Sequence, residues 1–175
     1  MTTIDMKAEI ARIAYWKQVA AEHDVLGAFP WHLPRIAATQ EQINLAESRA
    51  GAQLSVQFKE FLGYANGWKG FCVSTDLFGT EELISGKSQE FLQREDLVDF
   101  LREIQVNASE VVVIGASGLD LDVFLLFPDS SHFLPGGVLW FASEEIDRYE
   151  SFGDFLAAMV NYNARNAQRL AAKQK

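Results

Sequence analysis

The sequence predicts an α+β fold: N-terminal helices, a central, mainly antiparallel β-sheet laid out as a meander, and a C-terminal helix packed on that sheet. Three observations support it. Apolar residues recur at helical spacing through 5–65, short β-branched or aromatic runs bounded by glycine and proline follow between 71 and 141, and a one-sided apolar pattern resumes after Ser151. With 175 residues, 49% hydrophobic and 12% aromatic, the chain can fill one core.

Residues 5–22 read as a helix with Met6, Ile10, Ile13, Ala14, Ala21 and the Lys17 stem along one face. Tyr15 and Trp16 lie off that stripe and are expected to pack under the following loop. Pro30 and Pro34 disfavour helix at the residues before them, so 28–34 is an extended, apolar connection expected to lie against the domain. Thr39 and Gln42 have capping-box spacing and open a helix with Ile43, Ala46 and Ala50 inward, Leu45 on its flank and Gly51 as its left-handed stop. Ser55 caps the next helix, in which Phe58, Phe61, Leu62 and Ala65 share a face and which Asn66-Gly67 closes.

Trp68 and Gly70 lead into an extended run at 71–73, Thr80 caps a short turn over 81–84, and 86–93 reads as a loop anchored by Phe91 and Leu92. Leu97, Phe100, Leu101 and Ile104 then mark an amphipathic helix, acidic on its outside. The runs 111–114 and 121–127 pair antiparallel through the loop at 115–120, and Pro135-Gly136-Gly137 turns into 138–141. Ser151 caps the last helix, with Asp154 at the capping-box position and Phe152, Phe155, Leu156 and Met159 inward. From Asn161 the pattern becomes polar and alanine-rich. The chain thus divides into an N-terminal helical extension (1–38), an α+β domain (39–162) and a polar, partly frayed tail (163–175).

Several blocks carry a family resemblance: ESRAGAQLSVQF at 47–58, Phe61-Leu62, Asn66-Gly67, LFGTEEL at 77–83, VVIGASGLD at 112–120, GVLW at 137–140 and SFGDFL at 151–156. In this order they resemble the signature of the SUKH superfamily, of Smi/Knr type. That superfamily includes fungal cell-wall regulators and many bacterial immunity proteins against polymorphic toxins. The resemblance implies a non-catalytic protein-binding domain without a cofactor, and it leaves 1–38 unexplained.

Charge narrows the partner. The net charge is −9, and residues 71–160 hold 17 acids against four bases. Such a surface repels nucleic acid and anionic membrane and steers a basic protein toward itself, although it also serves solubility alone. No stretch has the roughly 20 apolar residues of a membrane helix, and the N-terminus has no basic segment followed by an apolar run, so a cytoplasmic protein is expected. Cys72, the single cysteine, fits a reducing compartment and a buried position.

Catalytic signals are weak. His23, His32 and His132 lack metal-ligand spacing, Gly115-Ala116-Ser117-Gly118 is one residue short of a nucleophile elbow and reads as a turn, and no phosphate-binding glycine motif occurs. Trp68 and Trp140 read as core packing. Asp120 and Asp122, at alternate positions of a strand, would share one face, where they could pair as acids, bind a cation, face solvent or meet a partner's lysine or arginine. Glu144, Glu145, Asp147 and Glu150 read as a solvated loop or as an acidic patch for a basic partner. The expectation is therefore a non-catalytic immunity protein that binds a basic toxin domain, a nuclease suiting the charge best, through Asp120, Asp122, Glu144, Glu145 and Asp147. The alternatives are a regulatory or scaffold protein of Smi/Knr type and an enzyme with an unrecognised site.

Overall fold

The computed structural model describes residues 4–173, so residues 1–3 and 174–175 of the two terminal segments lie outside the description. Among the described residues the strands are β1 (Trp68–Cys72), β2 (Thr75–Leu77), β3 (Val112–Ser117), β4 (Val123–Leu126), β5 (Val138–Phe141) and β6 (Glu145–Tyr149). They form one sheet in sequence order, each neighbouring pair antiparallel, which is the expected meander. The helices are α1 (Met6–Glu22), α2 (Gln40–Ala50), α3 (Val56–Leu62), α4 (Thr80–Ile84), α5 (Lys87–Phe91), α6 (Glu95–Glu103) and α7 (Phe152–Ala172).

Each sheet face has its own core. Phe58, Phe61, Phe71, Phe124, Phe152 and Phe155 join residues of α1, α2, α3 and α7 on one side; Val113, Leu125, Leu139 and Phe141 pack with Leu97 and Leu101 of α6 on the other. Cover on both faces explains why β3 and β4 read as continuous apolar runs: every residue in them is buried. The helix starts follow from caps. Thr39, Ser55 and Ser151 each accept a backbone N–H at the start of α2, α3 and α7, and Gly51 ends α2 at φ 81°.

Several local expectations are corrected. The helix from Ser55 ends at Leu62 with Gly63 as its cap, and buried Ala65 lies beyond it, bridged to Ile36. Thr80 is the first residue of α4, not its cap. Asn66 does that work from a distance: its Oδ1 accepts the Thr80 N–H at 2.7 Å and its Nδ2 donates to Thr80 Oγ1 at 2.9 Å. The approach is close enough that a Cβ on Gly79 would stand 2.2 Å from the Asn66 carbonyl oxygen. Residues 87–91 form α5 where a loop was expected. The strand at 112 continues through Gly115 to Ser117, with an irregularity between Val113 and Gly115. β2 and β6 were not foreseen as strands. The polar stretch from 163 is helical to Ala172, with Asn163, Asn166 and Ala167 buried where α7 packs along α1.

The connection from α1 to α2 is a strap across the β1 end of the sheet. Arg35 N–H donates to the Gly67 carbonyl at 3.0 Å, its carbonyl accepts the Asn66 N–H at 3.2 Å, and Trp68 Nε1 donates to the His32 carbonyl at 2.7 Å. The strap's backbone lies against the domain as expected, but its large apolar side chains largely do not. Tyr15, 58% exposed, also contradicts the packing expected of it.

Candidate functional site

The five carboxylates singled out from the sequence fall on two sides of the sheet, and a bulge in β6 separates them. Glu145 pairs with Phe141, on the α6 side; the register then shifts, so Asp147 pairs with Trp140, whose ring meets Phe124 and Tyr162 on the α7 side. Both residues lie in an edge strand, correcting the reading of this stretch as a loop.

On the α6 side, Glu144 and Glu145 face the acidic side of α6 across a groove of about 480 Å³ that Asp96, Asp99, Glu103, Phe100 and Ser143 also line. Its apolar floor is Phe100, whose ring packs tilted at 36° against Phe141 with centroids 4.8 Å apart. The positive φ of Ser143, 61°, turns the chain sharply enough between β5 and β6 to bring Glu144 to this rim. Three of the five carboxylates that line this groove are paired: Asp96 with Arg94 at 2.6 Å, Asp99 with Arg102 at 2.7 Å and Glu145 with Arg148 at 2.7 Å. The Arg94 guanidinium holds Asp96 below the usual carboxylate range. Among the described residues, Glu103 and Glu144 have no ion-pair partner, so their charge is available to a partner's ammonium or guanidinium groups.

On the α7 side, Asp120 and Asp122 lie in the turn between β3 and β4 and not in a strand, which corrects their expected alternation. The turn brings them together nonetheless. Asp120 Oδ2 accepts from Ser74 Oγ at 2.7 Å, its Oδ1 accepts the Asp122 N–H at 3.2 Å, and Asp122 Oδ1 accepts the Trp140 indole N–H at 2.5 Å. Burial pushes Asp122 up, reinforced by neighbouring Asp120, whereas hydrogen bonds from Ser74, Ser117 and Asp122 outweigh the burial of Asp120 and hold it down. Ser117 Oγ accepts the N–H groups of Leu119 and Asp120, the pattern of a turn residue. These aspartates are committed largely to holding the turn and the Trp140 ring, and Asp147 accepts the N–H of Arg148.

The sequence reading missed Asp96, Asp99, Glu103 and Phe100 as members of a site. Its acidic-sided helix was the available signal, but only the tertiary fold sets that side opposite Glu144 and Glu145. Among the described residues, no group of three or more histidine, cysteine, aspartate and glutamate side chains is arranged to hold a metal ion, and no helix is long and apolar enough to cross a membrane.

An antiparallel meander clothed in helices on both faces, with an open acidic groove on one of them, defines an α+β domain. Residues 37–158 match the SMI1/KNR4 family (SUKH-1), and the chain belongs to that family. The match includes both acidic regions and leaves out most of the strap and all of α1. No curated protein matches the chain.

Proposed function

We propose that the chain is a non-catalytic immunity protein that neutralises a polymorphic toxin by direct binding in the cytoplasm, and that the groove between α6 and the β5–β6 turn receives basic residues of the toxin domain. Its family includes immunity proteins. The observation that carries the reading is the convergence of Asp96, Asp99, Glu103, Glu144 and Glu145 around the Phe100 ring. Carboxylates on a groove rim attract lysine and arginine over long range and fix register, while an aromatic floor supplies contact area once water leaves. A nuclease domain suits this surface best, because the face that grips phosphates is basic and a carboxylate-rich protein competes for it. Asp120, Asp122 and Asp147 are a second, more internally committed acidic edge.

The test is a pull-down with the full chain as bait against the products of the genes beside its own, at low and high salt. A basic, toxin-like partner released by high salt supports the reading. A partner retained at high salt shifts the interface to apolar surface, and recovery of a signalling or cell-wall enzyme instead favours a regulatory scaffold.

A further inference from the structure

Taking the acidic groove as the site that receives the partner, we propose that Arg94 and Asp96 are its positioning residues: they hold the turn that carries Glu144, while the partner's cations meet Asp99, Glu103 and Glu144. In a meander that follows sequence order, the β3–β4 and β5–β6 turns share one end of the sheet, and α6 begins beside them. Arg94, the residue before α6, joins all three. Its carbonyl accepts the Val98 N–H at 2.9 Å, which fixes its backbone to the helix. Its guanidinium grips both oxygens of Asp96, Nε to Oδ1 at 3.1 Å and Nη2 to Oδ2 at 2.6 Å, and Nη1 donates to the Leu121 carbonyl at 2.8 Å. Asp96 Oδ2 also accepts from Ser143 Oγ at 3.2 Å. Both oxygens of Asp96 are thus engaged and an arginine offsets its charge, so it offers a partner little.

The bond to Ser143 matters because that residue sits at φ 61°, a conformation that a Cβ disfavours. Within the turn, the Ala142 N–H donates to the Glu144 carbonyl at 2.9 Å, and from outside it Asp96 anchors the Ser143 hydroxyl. Glu144, next in the chain, therefore stands at the rim before a partner arrives, and less ordering remains to oppose binding. Arg102 and Asp99 differ. They lie three residues apart on one helix, and their side chains are 74% and 64% exposed against 20% and 31% for Arg94 and Asp96. A pair of that kind joins no second segment and contributes little to rigidity.

The two arginines allow a test of sign. Arg94→Ala and Arg102→Ala each make the surface one charge more negative, so long-range attraction alone would have both bind a basic partner more tightly. Positioning requires opposite results. For the partner recovered by pull-down, Arg102→Ala should keep or gain affinity, whereas Arg94→Ala should lose about threefold or more. Arg94→Lys, which keeps the charge but lacks the planar fork, should lose affinity as well. Amide hydrogen exchange of the free full chain needs no partner: residues 119–122 and 142–145 should both exchange faster in Arg94→Ala and Arg94→Lys and match wild type in Arg102→Ala. Circular dichroism and melting temperature check that each variant is folded. Arg94→Ala binding as tightly as Arg102→Ala, or unchanged exchange in the two turns, overturns the proposal. Failure of the groove itself has a different signature: affinity is then indifferent to both arginines and to charge reversal at Glu103 and Glu144, although the turns still loosen in Arg94→Ala, and the positioning role falls with it.

Discussion

Replacing Asn66 with alanine probes the contact that locks the turn before β1 to the start of α4. The side chain is buried at 8% exposure, and both its polar atoms are used on Thr80, itself 1% exposed. In Asn66→Ala the Thr80 N–H and hydroxyl are left without that partner and without water. Each buried polar group orphaned this way costs about 1–3 kcal/mol, the hydroxyl less because it can rotate, so the sum is about 2–4 kcal/mol. Against a total stability of about 5–15 kcal/mol this is a large loss. Thr80→Val removes only the hydroxyl and keeps the Thr80 N–H bonded to Asn66, so it should cost about 1 kcal/mol. Because the two residues share the same bonds, the double variant should cost less than the two single losses combined. Urea unfolding followed by tryptophan fluorescence gives all three values from midpoints and slopes. An Asn66→Ala chain within about 0.5 kcal/mol of wild type, or a strictly additive double variant, would refute this account of how α4 is capped.

Two further predictions concern titration. Asp122 is raised by burial, so the folded state holds its proton more tightly than the unfolded chain and stability declines as pH climbs above the ordinary aspartate value of 3.8. Asp122→Asn, whose amide oxygen can still accept the Trp140 N–H, should therefore raise the neutral-pH unfolding midpoint and flatten that decline; a lower midpoint would show that the carboxylate charge itself holds the turn. Lys17 hydrogen-bonds the Gly70 carbonyl, and burial lowers its amine from 10.5 to about 8. Between those values the unfolded chain binds the extra proton, so this group adds stability as pH rises, up to about 3 kcal/mol. The stability difference between wild type and Lys17→Met should accordingly shift in favour of wild type from pH 7.5 to 10, and a difference that stays flat would contradict the burial of a charged amine.

Much of this fold is written locally. Thr39, Ser55 and Ser151 announce their helices, Gly51 ends one, and the β-branched runs announce β3 and β4, because each signal operates within a few residues. What escaped depends on distance or on missing contrast. The cap of α4 comes from Asn66, 14 residues away. β6 reads as a loop because Glu145, Ile146, Asp147 and Arg148 are all exposed, so an edge strand leaves no apolar alternation. The strap's apolar composition suggested burial, yet its backbone bonds turn Leu26, Leu33 and Ile36 outward. The candidate site was half legible: Glu144 and Glu145 stood out as acids, but the bulge that parts them from Asp147 and the opposition of α6 are properties of the assembled sheet.

The measurement that bears most directly on the central claim is the affinity of the partner recovered by pull-down for wild type and for Glu103→Lys/Glu144→Lys. Neither glutamate has an ion-pair partner among the described residues, so the double reversal breaks no salt bridge and should leave the unfolding midpoint in place. Titration calorimetry should show at least tenfold weaker binding, about 1.4 kcal/mol or more, together with a shallower salt dependence. Unchanged affinity with unchanged salt dependence would contradict the assignment of this groove as the toxin-binding surface.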